Sequence, residues 1–165
     1  MGDWPSKLEL TADRFDQMDG WDLLEHIGPW MMSVFDVAPA ESPRSFQLAA
    51  SAYWIWADVG NGGLRQYLRN SACGLPCAVE SLRLLKRDNA VDILAQAIAL
   101  LPSPALLDDI EARRAFIETE RVSERLSALD DSFWEALDDE TFPENLAAFA
   151  RSHRSDFEPY FAGGD

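Results

Sequence analysis

The stretch Asp58-Val59-Gly60-Asn61-Gly62-Gly63-Leu64-Arg65-Gln66-Tyr67-Leu68-Arg69-Asn70-Ser71 reads as a glycine-rich turn that opens a short helix. Gly63, Gln66, Tyr67 and Asn70 recur at i, i+3, i+4 and i+7, which places them on one helical face. A polar face on an otherwise apolar helix requires hydrogen-bond partners wherever it is buried. Two readings are open. In one, Asn61 caps the helix, the glycines permit left-handed or close-packed backbone, and Gln66 and Asn70 tie down the loop at 72–76. In the other, the face lines a polar pocket for a small ligand or peptide. The stretch is not a phosphate loop, because no lysine followed by serine or threonine stands after the glycines.

Working outward, helix signals recur and strand signals do not. Before the motif, Ser42-Pro43 supplies an N-cap and a first-turn proline for a helix through Phe46, Ala49, Ala50, Tyr53, Trp54 and Ala57, which Gly60 to Gly63 end. Further upstream, Trp21 to Phe35 has helical apolar spacing at Leu23, Leu24, Ile27 and Met31, with Pro29 as a candidate kink and Gly20 as the break before it. After the motif, helices are expected over about 64–71 and 77–87, and from an Asn89 cap to Leu101, ended by Pro102 and Pro104. A longer acidic helix is expected over about 106–129. Asp131 is the expected cap of a short one through Leu137, and Thr141 or Phe142 with Pro143 opens the last. Short connections between amphipathic helices predict an all-α, compact single-domain bundle of about seven to nine helices over residues 1–165.

Charge is the main compositional fact. Against 14 basic residues stand 29 acidic ones, a formal net charge of −15. Residues 1–40 carry −6, residues 41–107 carry +1 and residues 108–165 carry −10. A chain so charged repels nucleic acid and anionic membranes and attracts basic surfaces. Its 47% hydrophobic content, with six tryptophans and nine phenylalanines, supports an ordinary core rather than disorder. No apolar run approaches the roughly 18 residues of a membrane span, and no signal-peptide pattern opens the chain. Met1-Gly2-Asp3-Trp4-Pro5-Ser6 matches a myristoylation pattern formally, but Asp3 and Glu9 oppose docking on an anionic membrane. Cys73 and Cys77 stand one helical turn apart, and the two histidines, His26 and His153, are far from them in sequence. No metal site and no cofactor is expected, and a reduced cysteine pair in the cytoplasm is the default.

The motif, with the alanine- and leucine-rich helix pair after it, resembles a bacterial family whose best-understood member is a DNA-mimic protein. The resemblance runs from about residue 45 to residue 150 and is carried by Asn61, Gly62, Gly63, Gln66, Tyr67, Asn70 and Ser71. Gly60 departs from it where the pattern has asparagine. Leu64 and Leu68 stand where it favours aromatics, and Ala72-Cys73-Gly74 replaces a usual glycine-acid pair. The resemblance implies an all-helical fold, no catalysis, and an acidic surface that meets a DNA-binding protein in place of DNA.

Acidic rows compatible with that role are Asp13, Asp16, Asp19 and Asp22; then Asp108, Asp109, Glu111, Glu118, Glu120 and Glu124; then Asp130, Asp131, Asp138, Asp139 and Glu140. Carboxylates three or four residues apart on a helix repeat every ~5–6 Å along its axis, and duplex DNA offers about one charge per 1.7 Å. Such rows imitate one phosphate strand at lower charge density. The competing reading is local: Asp131 as a cap, Asp108 and Asp109 at a helix N-terminus, and Arg113, Arg114, Arg121 and Arg125 pairing with the acids of the long helix. No serine, histidine and acid set suggests an enzyme. The expected partner is a basic DNA-binding protein, for instance a helix-turn-helix regulator, with no direct binding of nucleic acid or membrane, the protein acting as monomer or homodimer. A small-ligand or peptide module using the Asn61–Asn70 face and an immunity-type inhibitor of a basic toxin are the alternatives.

Overall fold

The computed structural model describes residues 8–37, 42–70, 75–103, 109–138 and 140–162. Among these lie nine α-helices: α1 (Ala12–Gln17), α2 (Gly20–Val37), α3 (Arg44–Asn70), α4 (Leu75–Leu84), α5 (Asp88–Ile98), α6 (Ile110–Ile117), α7 (Glu120–Leu137), α8 (Phe142–Ser152) and α9 (Arg154–Phe157). The fold is all-α, as the sequence predicts. The described ends meet in a single bridge between Leu8 and Phe161, where Leu8 N–H donates to the Tyr160 carbonyl at 2.8 Å.

Helix α3 is the centre of the bundle, packing against α2, α4, α6, α7 and α8. Its sequence explains why. Ala49, Ala50 and Ala52 let neighbouring backbones approach, while Phe46, Ile55, Leu64 and Leu68 fill the interior on successive turns. On α2 the facing residue is Gly28, where any Cβ would stand 2.1 Å from the ring of Tyr53. The aromatic core gathers at the end where Leu8 and Phe161 meet. Phe15 packs on Phe157 and Phe161 with ring centroids 5.6 and 5.0 Å apart, and Phe46 meets Trp30 edge-on at 5.4 Å. Arg151 Nε donates to the Phe15 carbonyl at 3.1 Å and anchors α1 to α8.

Several boundaries differ from the sequence expectation for identifiable reasons. The long acidic helix is two helices, α6 and α7, separated at Glu118 and Thr119. The buried positions Arg113 and Ile117 are four apart, and so are Val122 and Leu126, but Ile117 and Val122 are five apart, which breaks the helical rhythm. Asp131 caps nothing. It sits inside α7, because Leu126, Phe133 and Leu137 continue one buried stripe through the expected boundary. Helix α5 starts at Asp88 after Arg87, one residue before the expected Asn89 cap. Helix α2 starts at Gly20 itself, with Asp19 Oδ1 accepting the Asp22 N–H at 2.8 Å, and it continues through Pro29. The expected roles of Pro104, Cys73 and the loop at 72–74 fall outside the described residues, as does the Met1–Ser6 pattern.

Candidate interaction surface

The glycine motif bends α3. Gly63 has φ 72 and ψ −175, a conformation open essentially to glycine alone. An added Cβ at Gly63 would stand 2.3 Å from Asp130 Oδ2. The bend exposes the Leu64 amide, and Asp130 Oδ1, from α7, accepts it at 2.8 Å. The arm after the bend is therefore capped by a carboxylate from another helix, not by Asn61. Gln66 Nε2 and Asn70 Nδ2 both donate to Asp58 Oδ1, at 3.1 and 3.0 Å. Asp58 is 7% exposed and belongs to the arm before the bend, so the polar face holds the two arms of α3 together. Tyr67 is buried. Ser71 lies outside the described residues.

The far end of α3 is fixed from α6. Arg113 is 1% exposed, and its Nε donates to the Leu68 carbonyl at 2.6 Å. Arg114 Nε reaches the Arg69 carbonyl at 3.4 Å and pairs with Glu111 at 3.2 Å. Cations at a helix C-terminus meet its free carbonyls and the negative end of its dipole. Of the four arginines expected to neutralise the acidic helix, Arg113 donates to the Leu68 carbonyl, Arg114 is shared between the Arg69 carbonyl and Glu111, and Arg121 and Arg125 pair with no described acid.

The acids fall into two kinds. Some are locally engaged. Asp109 Oδ1 accepts the Ala112 N–H at 3.0 Å as the cap of α6. Asp16 pairs with Arg154 at 3.2 Å, Glu118 with Arg65 at 3.6 Å and Arg69 at 3.8 Å, and Asp138 with Arg87 at 3.5 Å. Asp130 is partly buried, and that burial raises its carboxyl above the ordinary value, with the Asp131 charge adding to it against the opposing Leu64 N–H and Arg65.

Others stand free on α7. At about 100° per residue, Glu120, Glu124, Asp131 and Glu135 fall within about 60° of one another. They lie opposite the buried Val122, Leu126, Phe133 and Leu137, and all four are exposed. None pairs with a described cation. Glu135 belongs to this row and is missed when α7 is read as a cap and a short helix. Further acids follow the end of α7. Asp138 contacts Thr141, at the start of α8, and Glu144 in its first turn accepts the Gly20 N–H at 2.7 Å. That bond brings Asp19 and Asp22 to the same end of the bundle. Nearby, Trp21 packs on Trp56 and Trp56 on Phe142, with centroids 5.5 and 6.3 Å apart. Two acidic segments far apart in sequence are thus joined. Asp13 is exposed on α1, and Glu140 is exposed between α7 and α8. Asp108 and Asp139 lie outside the described residues.

Two concavities flank the α7 row. One, of about 450 Å³, is lined by Val59, Gly60, Asn61, Gly62 and Gly63 with Asp130, Asp131, Trp134 and Glu135. The other lies against α5, with Asn89, Asp92 and Ile93 facing Ser132, Glu135 and Ala136. Gln66, Tyr67 and Asn70 line neither. No group of three or more potential metal ligands occurs among the described residues, and no described helix is long and apolar enough to cross a membrane.

A bent central helix inside an all-α bundle, with a free carboxylate row along one neighbour, defines an acidic helical scaffold. The family model described as DMP19-like protein matches residues 40–153, and the chain belongs to that family. No curated protein and no solved structure matches it.

Proposed function

We propose that this protein is a non-enzymatic DNA mimic that occupies the DNA-binding surface of a basic DNA-binding protein, such as a helix-turn-helix regulator, in the cytoplasm. The observation that carries this reading is the row Glu120, Glu124, Asp131 and Glu135. It is exposed and unpaired among the described residues, with Glu140, Asp19 and Asp22 also exposed toward the end of the bundle where α8 begins. Helix α7 spans about 27 Å at 1.5 Å per residue, long enough to lie along several phosphates of one strand. Membership of the DMP19-like family is consistent with this role. The small-ligand reading is weakened, since Gln66 and Asn70 each direct an amide N–H to Asp58 and neither lines the cleft. An immunity-type inhibitor would use the same acidic row against a basic toxin.

The test is competition. A partner recovered by pulldown is bound to a labelled duplex and titrated with this protein at two salt concentrations. Displacement of DNA that weakens steeply with salt supports the mimic. A partner that holds duplex and protein together overturns it, and a partner with no affinity for DNA favours the toxin reading.

A further inference from the structure

We propose that the cleft between the glycine bend of α3 and α7 receives the guanidinium of an arginine from the basic partner. This rests on the mimic reading and names its anchoring contact. Three independent features converge on a cation. Asp131 and Glu135 line the cleft, and neither pairs with a described cation. Arg65, the nearby cation of this chain, pairs with Glu118 at 3.6 Å and reaches the Asp130 side of the cleft through its charge, not through an ion pair.

The second feature is backbone. Gly62 and Gly63 end the first arm of α3, and the Leu64 amide, which would donate to the Gly60 carbonyl in an uninterrupted helix, goes to Asp130. The negative end of that arm therefore opens on residues 59–61, which form one wall of the cleft. The third is aromatic. Trp134 forms part of the lining, and its indole tip lies against Gly60, where even a methyl group would come 3.1 Å from it.

Carboxylates, helix carbonyls and an indole together suit a flat cation. A guanidinium donates through a planar fork to carboxylate and carbonyl oxygens and stacks on an aromatic ring, where an ammonium remains a strongly hydrated point charge. The arginines a DNA-binding protein gives to phosphates are then the residues that enter. The cleft adds a shaped receptor to the charge of the α7 row.

The experiment is a titration of the ¹⁵N-labelled protein with N-acetylarginine amide, with the neutral isostere N-acetylcitrulline amide as control. Saturable shifts of the Trp134 indole N–H and the Gly60–Gly63 amides with the arginine probe alone are expected. Asp131→Asn with Glu135→Gln should weaken them at least tenfold, and both exposed substitutions leave the fold intact. Equal shifts with citrulline, a double variant that titrates like the parent, or larger shifts elsewhere on the surface would overturn the proposal. DNA competition by the unaltered protein tests the mimic reading separately: a parent that displaces duplex beside a failed titration leaves the mimic standing without its receptor.

Discussion

Asp130 on α7 accepts the backbone N–H of Leu64 on α3 at 2.8 Å, across 66 residues of sequence. Its oxygen occupies the space that a side chain at Gly63 would take. One carboxylate thus caps a helix arm, fixes the bend in the central helix and lines the cleft beside the acidic row. A substitution there reads out cap and charge separately. Asp130→Ala removes the acceptor and should cost about 1 kcal/mol, within the 0.5–2 range of lost caps. Asp130→Asn keeps an acceptor and removes the charge, so it should be at least as stable as the parent at about pH 7. The sign follows from the raised carboxyl. The folded state holds its proton more tightly than the unfolded state, so ionisation costs stability. That cost is absent below the ordinary value of 3.8 and complete above the raised one. The advantage of Asp130→Asn should fade as pH falls through that window. Thermal melts of the two proteins across the acid range check it, and a constant difference at every pH would contradict the assignment.

Gly63→Ala should be the more damaging change. It forces a Cβ into a φ of 72 with ψ −175 and places it against the Asp130 carboxylate. Backbone strain of about 1–3 kcal/mol and a displaced cap add to about 2–4 kcal/mol. Gly60→Ala, on the exposed helical side of the bend, should cost under about 1 kcal/mol, since alanine gains helix propensity there and only the indole tip must shift. Urea denaturation of both variants compares them directly.

Asp58 ranks the polar face. Its Oδ1 accepts from both Gln66 and Asn70 inside the joint of α3. Asp58→Ala strands two donors and should cost more than Asn70→Ala, which removes one donor at an exposed position. Orders of about 3 and 1 kcal/mol follow from the penalty for unmade bonds. Equal losses, measured by chemical denaturation, would mean that the two arms are held by something other than this carboxylate.

The sequence made the helices legible because burial on each one follows a helical period. Phe46, Ala49, Ala50 and Tyr53, or Leu82 and Leu85, announce their faces without neighbours. It also made the glycine break and its polar face legible. Pairings across the fold could not be read. Nothing local distinguishes Asp130, which caps α3, from Asp131, which faces solvent one residue on. Gln66 and Asn70 signal a need for acceptors, but Asp58 lies 8 and 12 residues upstream of them and is reached only because the helix bends. Asp131 next to Ser132 imitates a cap in sequence, and only the continuous stripe of Leu126, Phe133 and Leu137 reveals a helix running through it. Glu135 was hidden for the same reason. Asp19 and Asp22 reach the end of the bundle where α8 begins because α2 packs on α8, with Gly20 bonded to Glu144 between residues 124 apart.

The functional claim rests on the free carboxylates, so they carry the last prediction. Glu120, Glu124, Asp131 and Glu135 face solvent and hold no described partner, whereas Asp130 and Asp109 serve as caps and Asp16, Glu118 and Asp138 sit in ion pairs. Reversing Glu124, Asp131 and Glu135 together to lysine should leave stability nearly unchanged, because exposed substitutions away from caps usually shift it by no more than about 0.5 kcal/mol each. Partner binding should fall steeply. A mimic contact made through these acids loses three attractive charges and gains three repulsive ones, and exposed charges act over about 8 Å at physiological ionic strength. Raising the salt should narrow the gap between parent and variant, since the lost attraction and the new repulsion are screened alike. Reversing the engaged acids Asp16, Glu118 and Asp138 should affect binding less and stability more. Binding measured by surface plasmon resonance at two salt concentrations, beside a thermal melt of each protein, separates the cases. If the α7 reversal leaves affinity intact while the engaged set abolishes it, the contact surface lies elsewhere and the α7 row serves solubility alone.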